Sequence, residues 1–305
     1  MDKRFKKTTM YVAPLLMSLS VSLVYGHGEV KDAVYKEVPV TKHVSMLQGK
    51  GGNIGLIKGE DGLLLIDDGY KANVAALEQM LDKDIKGKPK YVINTHWHGD
   101  HTGGNEHLGE YVTIVAHENV RKRLGSPQEI KAFGMKFDAN PKSALPALTF
   151  SQSLSLYANN QEVSVVHFPM GHTDGDSVVF IQPDNVVHMG DHFFSGKFPF
   201  VDLGSGGSVV GMANNVGAII EHVKPDVKII PGHGPLSNLD DLKEYHQMLV
   251  GTTAVVQQFI DDGLTVKEVQ KAGLPDRWKA WGTGFISEKF WLKTVYDSLK
   301  SGPKE

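Results

Sequence analysis

The feature that most constrains this chain is a string of four metal-capable side chains within six residues, His96, His98, Asp100 and His101. It directly follows a short apolar run at residues 91–94, which predicts a buried β-strand. In a loop at the end of that strand, His96 and His98 can point to one metal while Asp100 and His101 turn toward a second position. Imidazole and carboxylate ligands suit zinc, manganese or iron. The string therefore predicts a metal centre at a strand end.

Cysteine is absent from the 305 residues, and this absence limits the chemistry. It excludes a disulfide framework, a Cys-ligated zinc site, an iron–sulfur cluster and a Cys nucleophile. Hydrophobic residues make up 41% and charged residues 22% of the chain, as in globular proteins. Because no low-complexity linker divides the sequence, we predict one domain, whose chemistry must come from His, carboxylates, hydroxyls or a bound metal.

The N-terminus has the pattern of a secretory signal peptide. Four basic residues within the first seven precede an apolar stretch at residues 10–24 and small-residue positions at Val24 and Gly26. We predict a signal peptide at residues 1–26 and a mature domain at residues 27–305. The apolar stretch is shorter than the roughly 20 residues of a bilayer span. We therefore expect a periplasmic or secreted protein without stable membrane insertion after cleavage.

The net charge bears on the kind of partner. Cleavage after residue 26 removes 4 of the 32 basic and 1 of the 35 acidic residues, which leaves a net charge of −6. An acidic chain is a poor binder of polyanions. We expect a small-molecule substrate and no nucleic acid, and the sequence specifies no oligomeric state.

Apolar periodicity and turn residues predict alternating strands and helices along the mature chain. Strands are predicted at residues 45–48, 53–58, 62–67, 91–94, 112–116, 153–156, 162–168, 177–181, 186–189 and 227–230. Helices are predicted at residues 74–81, 103–108, 118–124, 211–223, 239–260 and 286–299.

The His-x-His-x-Asp-His string at a strand end resembles the signature of the metallo-β-lactamase superfamily. The resemblance extends from about Gly51 to Pro235, and later residues of the pattern follow in the expected order: His172 in Gly-His-Thr, Asp191 in Gly-Asp-His and His233 in Pro-Gly-His-Gly. It implies an α+β fold, the αββα sandwich, with two mixed β-sheets face to face and helices on the outer faces. The metals would lie in a cleft at one sheet edge.

The resemblance also implies a ligand for each metal position. The first metal would be held by His96, His98 and His172, the second by Asp100, His101 and His233, and Asp191 would bridge them. The expected cofactor is Zn²⁺, two per chain, with Fe or Mn as possible replacements. The β-lactamases proper usually have Cys or Ser near the Asp191 position, whereas thioesterase-like, lactonase-like and phosphodiesterase-like members have Asp. An antibiotic is therefore not favoured as the natural substrate.

The activity that this resemblance implies is hydrolysis by a dinuclear metal centre. Metal binding lowers the pKa of water from about 16 to around 7, which supplies hydroxide at neutral pH. A zinc-bridged hydroxide would cleave a small ester, lactone, thioester or β-lactam-type amide. Asp100 is the expected catalytic residue, passing a proton to the leaving atom.

Two other readings of the motif stay open. Persulfide dioxygenases of the same superfamily share the string and bind one iron through residues that correspond to His96, His172 and Asp191, so an oxidoreductase is one alternative. A non-catalytic metal-dependent binding module is the other. Retention of all seven ligands favours an enzyme, because a binding module has little need of an open dinuclear centre.

An aromatic segment at residues 193–200 follows Asp191 and predicts an apolar wall for the substrate. For most of these aromatic side chains the competing role is core packing, and an exposed Lys commonly serves only as a solvated charge. The end of an earlier strand also places Asp67 or Asp68 to hydrogen-bond a ligand imidazole. The predicted substrate-pocket residues are Trp97, Phe193, Phe194, Lys197 and Phe198.

Overall fold

The computed structural model describes residues 35–302, with the side chains of Lys83 and Asp84 left out. The predicted signal peptide at residues 1–26 lies outside the described residues. Between residues 35 and 302, no helix combines the length and the apolar character needed to cross a membrane.

Thirteen of the fifteen strands between residues 35 and 302 precede residue 190. In chain order the strands are β1 (Lys36–Pro39), β2 (Val44–Gln48), β3 (Ile54–Ile57), β4 (Leu63–Ile66), β5 (Pro89–Ile93), β6 (Thr113–His117), β7 (Gln128–Ile130), β8 (Met135–Phe137), β9 (Leu148–Phe150), β10 (Ser153–Ala158), β11 (Gln161–His167), β12 (Ser177–Gln182), β13 (Val186–His188), β14 (Lys228–Ile230) and β15 (Ser237–Asn238).

The helices in the first half of the chain are short, and the three longest helices lie in the second half. In chain order the helices are α1 (Val74–Met80), α2 (Gly99–Thr102), α3 (Asn105–Leu108), α4 (Glu118–Leu124), α5 (Val209–His222), α6 (Leu239–Asp261), α7 (Val266–Ala272), α8 (Asp276–Lys279) and α9 (Glu288–Ser301). The longest, α6, begins at a capping box in which the Asn238 side chain accepts from the Asp241 N–H and Asp241 accepts from the Asn238 N–H.

Two mixed sheets and one small hairpin contain these strands. The first sheet has the order β1-β2-β3-β4-β5-β6-β9, antiparallel up to β4 and parallel from β4 to β9. The second has the order β10-β11-β12-β13-β14-β15, in which only the β13–β14 pair is parallel. Strands β7 and β8 form the hairpin.

The two sheets have three apolar layers, one between them and one on each outer face. The layers form because successive side chains of a strand point to opposite faces. In β13, Val186 faces the layer between the sheets and Val187 faces the helices, as expected when successive side chains point to opposite faces. Ile230 and Ile229 of β14 repeat this division. Strands buried on both faces read as continuous apolar runs, which is why their sequences show no polar alternation.

Each layer has its own packing partners. The layer between the sheets joins Ile93 of the first sheet to Val179 of the second. The outer face of the first sheet packs on α1 through Leu77. The outer face of the second sheet packs on α5, α6 and α9, for example through Met212 and Trp291. The predicted αββα sandwich is therefore confirmed.

Individual elements differ from the prediction where periodicity is weak. The predicted helix at residues 103–108 is present only as α3, and the short helix α2, which was not predicted, precedes it across Gly103 and Gly104. The hairpin β7–β8 and strand β9 were not predicted, because three-residue strands in a proline-containing stretch are too short to show a period. The long helices α5, α6 and α9 agree with the prediction to within two residues at each end.

Candidate metal centre

The seven predicted ligands lie at the ends of strands from both sheets. Strand β5 leads into the ligand loop, which we define as residues 94–101. On the second sheet, His172 precedes β12, while Asp191 and His233 follow the parallel strands β13 and β14. A bridge between Phe194 and His233 joins the last two segments. Because the carboxyl ends of parallel strands meet at one edge, these segments converge on the ligand loop.

The first group of side chains is buried. His96, His98, His172 and Asp191 each offer one ligand atom, and these atoms lie within 4.8 Å of one another. His172 Nε2 is 2.7 Å from His98 Nδ1 and 3.4 Å from Asp191 Oδ2. His96 Nε2 is 3.8 Å from the same carboxylate oxygen. Three imidazole nitrogens and one carboxylate oxygen thus converge on one point.

The second group, Asp100, His101 and His233, is equally compact, with its ligand atoms also within 4.8 Å of one another. Asp100 Oδ2 is 3.3 Å from His233 Nε2 and 3.6 Å from His101 Nε2. Asp191 Oδ1 approaches the same two imidazoles, at 3.1 Å from His101 and 3.4 Å from His233. Asp191 therefore directs one oxygen to each group.

Unsatisfied polar atoms test whether this donor set suits a metal. His96 Nε2, His101 Nε2 and Asp191 Oδ1 are buried and make no hydrogen bond to any described residue. The 3.1 Å approach of His101 Nε2 to Asp191 Oδ1 lacks hydrogen-bond alignment, because both atoms face a common point. Buried polar groups without partners are costly. A cation in each group would satisfy them, so the residues fit a metal centre.

Hydrogen bonds on the far side of the rings fix the tautomers of two ligands through one carboxylate. His101 Nδ1 lies 2.7 Å from Asp67 Oδ2 and donates to it. Thr95 Oγ1 donates to the same carboxylate over 2.8 Å and accepts from His96 Nδ1 over 3.0 Å. In both imidazoles the lone pair is then on Nε2, the atom that faces the metal position. The predicted hydrogen bond from an Asp at the end of the earlier strand is confirmed for Asp67.

The other two imidazoles of the first group have partners that position them in the same way. His172 Nδ1 donates to the Phe200 carbonyl over 2.7 Å. His98 Nε2 donates to Asp202 Oδ2 over 3.2 Å, and both side chains are buried. Sequence reasoning missed Asp202, which belongs to no motif and lies 104 residues from His98. The one feature of the sequence that could have indicated Asp202 is its position just after the aromatic segment at residues 193–200.

Burial and charge hold Asp191 and His172 in the protonation states that bind metals, whereas the carboxylates of the second group favour a proton on His233. Burial raises the pKa of Asp191, but the imidazoles of His101 and His233 outweigh burial and hold the pKa well below its usual range. Burial lowers the pKa of His172 to about 4, so this imidazole is neutral at pH 7. Burial also lowers the pKa of His233, yet Asp191 and Asp100 outweigh it and raise the pKa to about 9. A metal bound in the second group would displace that proton.

The five predicted substrate-pocket residues lie in different surroundings, and only some of them are near the metal centre. Phe194 is half-buried and stacks on His233, with 4.8 Å between ring centroids. Trp97 is buried beside His98 and lines a cavity next to the ligand loop. Lys197 is exposed and its side chain lies against Gly284.

The prediction is wrong for Phe193 and Phe198. Phe193 packs in the helix-side core against Tyr245, and Phe198 stacks on Trp291. Their exposed fractions are 0% and 1%. Both rings stabilise the core, because their burial removes apolar surface from water. They are therefore not available to a substrate.

The sequence is similar to those of known proteins. The family model of the Metallo-beta-lactamase superfamily matches residues 47–249. A probable metallo-hydrolase of Methanocaldococcus jannaschii is 28% identical over 199 residues, which are 62% of this chain and 91% of that protein.

Solved structures show the same fold. A metallo-beta-lactamase from Pontibacter korlensis aligns with a TM-score of 0.58 and 17% identity, covering 70% of this chain and 98% of its own. The stereoselective inverting sec-alkylsulfatase Pisa1 from Pseudomonas sp. aligns with a TM-score of 0.65 and 17% identity. That alignment covers 86% of this chain and 50% of the sulfatase.

Proposed function

Because the chain belongs to the metallo-beta-lactamase superfamily, we propose that it is a dinuclear metal-dependent hydrolase that cleaves a small ester, lactone, thioester or β-lactam-type amide. The observation that carries this proposal is the position of Asp191, whose Oδ2 faces the first group and whose Oδ1 faces the second. A carboxylate placed in this way can serve two ions at once. Zinc is the proposed metal, and iron or manganese suits the same nitrogen and oxygen donors.

The proposed ligand sets follow the two groups. His96, His98 and His172 would hold one ion, Asp100, His101 and His233 the other, and Asp191 both. Metal ions bound there would act as Lewis acids on the scissile bond and lower the pKa of water.

The protein's own contribution is to orient the ligands and to move a proton. Asp67 orients the imidazole of His101 directly and that of His96 through Thr95, and Asp202 orients that of His98. These ligand side chains are therefore held in place before a metal binds. Burial raises the pKa of Asp100, but His101 and His233 outweigh it and lower the pKa to about 2. Asp100 is therefore a carboxylate at neutral pH. A pKa this low lets Asp100 hold a proton only transiently, so its proposed role is to pass a proton from the attacking nucleophile to the leaving atom rather than to store it.

Substrate reaches the centre from one side. The first group is buried, whereas the Asp100 and His233 side chains are 18% and 28% exposed. The side of the centre that carries the second group is thus the open one. A reacting bond placed there would be next to Asp100, the residue proposed to move the proton.

We propose in addition that the mature protein begins near His27, is exported, and acts on a small molecule rather than on nucleic acid. The basic and apolar N-terminal pattern supports export, and the acidic charge of the mature chain supports the choice of substrate.

Metal analysis together with an assay panel tests the hydrolase proposal. The purified protein should contain close to two metal ions per chain and turn over at least one of nitrocefin, an acyl-homoserine lactone, a thioester or a p-nitrophenyl ester, without oxygen uptake. One iron per chain with persulfide-dependent oxygen uptake would instead identify the dioxygenase. Two bound metals without turnover of any substrate would favour a binding module.

A further inference from the structure

A cavity of about 520 Å³ lies next to the ligand loop. This volume is within the range of roughly 300–1,000 Å³ that is typical of pockets for small organic ligands. Three segments line it: the turn at residues 70–73, the ligand loop with α2, and the stretch from the end of α4 through β8. The lining is mainly apolar, with Trp97, Leu124 and Phe137 among its residues.

The ligand loop borders this cavity and the metal centre at the same time. His96, His98 and Asp100 offer their ligand atoms to the two groups, whereas Trp97 and Gly99, which alternate with them, line the cavity. The cavity and the metal positions are therefore separated by no more than this one loop.

Tyr70 connects the cavity with the open side of the centre. Its ring lies against Gly51, and the same glycine also borders the Cβ atom of Asp100. Tyr70 is 44% exposed and lines the cavity. Asp100 is one of the two partly exposed members of the second group. A ligand that passes Tyr70 can thus extend from the reacting bond at Asp100 into the cavity.

The charges around the cavity indicate the kind of group that it accepts. Lys71 is paired with Glu106 at 2.5 Å, and Arg123 makes a two-bond ion pair with Asp174 at 2.6 and 2.7 Å. Lys50 and Asp138, of opposite charge, also line the cavity. Because the cations are thus balanced by Glu106, Asp174 and Asp138, an anionic ligand group would meet little net positive charge. An uncharged apolar group would gain from leaving water.

We propose that this cavity binds the uncharged, apolar acyl chain of the substrate, and that the scissile ester, thioester or lactone bond then lies at the metal centre. The proposal rests on the proposed hydrolase function and narrows its substrate class. It makes Trp97, Gly99 and Phe137 determinants of chain length.

Gly99 offers a way to fill the cavity without disturbing the fold. A Cβ atom built on Gly99 meets nothing within 4 Å, and its backbone is outside the left-handed region. Gly99→Leu therefore places a side chain in open space at the cavity wall. Phe137→Ala enlarges the cavity instead. Glu110→Leu adds the same side chain as the first variant at an exposed position outside the cavity and is the matched control.

The first measurement compares kcat/KM for p-nitrophenyl acetate, octanoate and dodecanoate in the zinc-loaded proteins. One methylene in an apolar pocket changes specificity by roughly 10-fold or more. We expect Gly99→Leu to lower the octanoate-to-acetate ratio of kcat/KM at least about tenfold; because the readout is a ratio, a change in overall activity or in metal content cancels. Phe137→Ala should raise the dodecanoate-to-octanoate ratio, and Glu110→Leu should change neither. Equal loss on all three esters, or an unchanged ratio in Gly99→Leu, would overturn the proposal.

A binding measurement separates failure of this proposal from failure of the hydrolase function. Calorimetry with the metal-free protein should detect binding of octanamide but not of acetamide, and Gly99→Leu should abolish it. If no ester is hydrolysed but octanamide binds in this way, the cavity assignment stands and the hydrolase proposal fails for esters. If the wild type does not bind octanamide, the cavity is not an acyl site.

Discussion

Asp202 and His98 form a buried carboxylate–imidazole pair whose Nε2–Oδ2 distance is 3.2 Å. The opposite nitrogen of the same ring, Nδ1, lies 2.7 Å from His172 Nε2, inside the first ligand group. Asp202 therefore determines which nitrogen of His98 carries the lone pair, although it approaches no metal position itself. Such supporting carboxylates raise ligand basicity and hold the ring in orientation.

Replacing Asp202 should weaken metal binding while the fold is retained. We expect Asp202→Ala to lower metal affinity roughly 10–100-fold, the range found for partners of metal ligands. Asp202→Asn should lose less, because an amide oxygen still accepts from His98 Nε2. Competition with a chelator measures both affinities. Asp184→Asn is the control, since Asp184 pairs with His43 at 3.2 Å before the start of β13, whereas Asp191 follows the other end of that strand. Unchanged affinity in Asp202→Ala would refute the positioning role.

Replacing Asp191 should affect the two metal positions unequally. The first would keep three imidazoles, whereas the second would keep Asp100, His101 and His233 without the oxygen that now lies 3.1 Å from His101. We expect Asp191→Ala to fold and to bind closer to one metal than two, with turnover lower by about 100-fold or more. Metal analysis after dialysis and a kinetic assay of the same sample provide the readout. Two retained metals with near-normal turnover would leave Asp191 as a strand-end turn former.

The stacked pair His117 and His167, with ring centroids 3.7 Å apart, should make stability depend on pH. Burial lowers the pKa of both imidazoles. Below the unfolded-state pKa of about 6.5, the unfolded chain binds protons that the folded pair resists, so stability decreases as the pH falls. The stabilisation of the neutral pair is fully present above that pH.

His167→Phe keeps an aromatic ring and removes one titrating group of this pair. We expect the free energy of unfolding in urea to change less with pH between about 5 and 7 for the metal-free variant than for the metal-free wild type. The difference in slope should be below the limit of about 1.4 kcal/mol per pH unit for one group. Identical slopes for the two proteins would show that His167 titrates alike in the folded and unfolded states.

Export should leave a defined N-terminus. The basic start, the apolar residues 10–24 and Gly26 predict cleavage before His27. Mass spectrometry of the periplasmic fraction of an expressing bacterium should detect a mature chain that begins at or near His27. A full-length chain beginning at Met1 in the membrane fraction would contradict export.

The sequence predicted what local patterns encode and missed what long-range packing decides. His96, His172 and His233 each stand in a short motif beside a strand, and it was the resemblance of these motifs to a known family that predicted their convergence. Asp202 supports His98 across 104 residues and carries no local motif. Phe193 and Phe198 stand in the aromatic segment at residues 193–200, whose composition is typical of a pocket wall. Whether an aromatic ring faces a cleft or a core depends on its backbone direction, which composition alone does not specify.

The division of the ligands between the two sheets has a mechanical consequence. In each group, the residues from the ligand loop belong to the first sheet, and His172, Asp191 or His233 belongs to the second. A bound metal ion would therefore cross-link the two halves of the sandwich, between residues such as His98 and His172 that are 74 positions apart. The chain contains no cysteine, so the metal ions would take the place of a disulfide as a link between the sheets. Unlike a disulfide, which restricts the unfolded chain, they would stabilise the folded chain by binding to it. Removal of the metals should therefore weaken the contact between the two sheets at the edge where the ligands lie before it affects the rest of the fold.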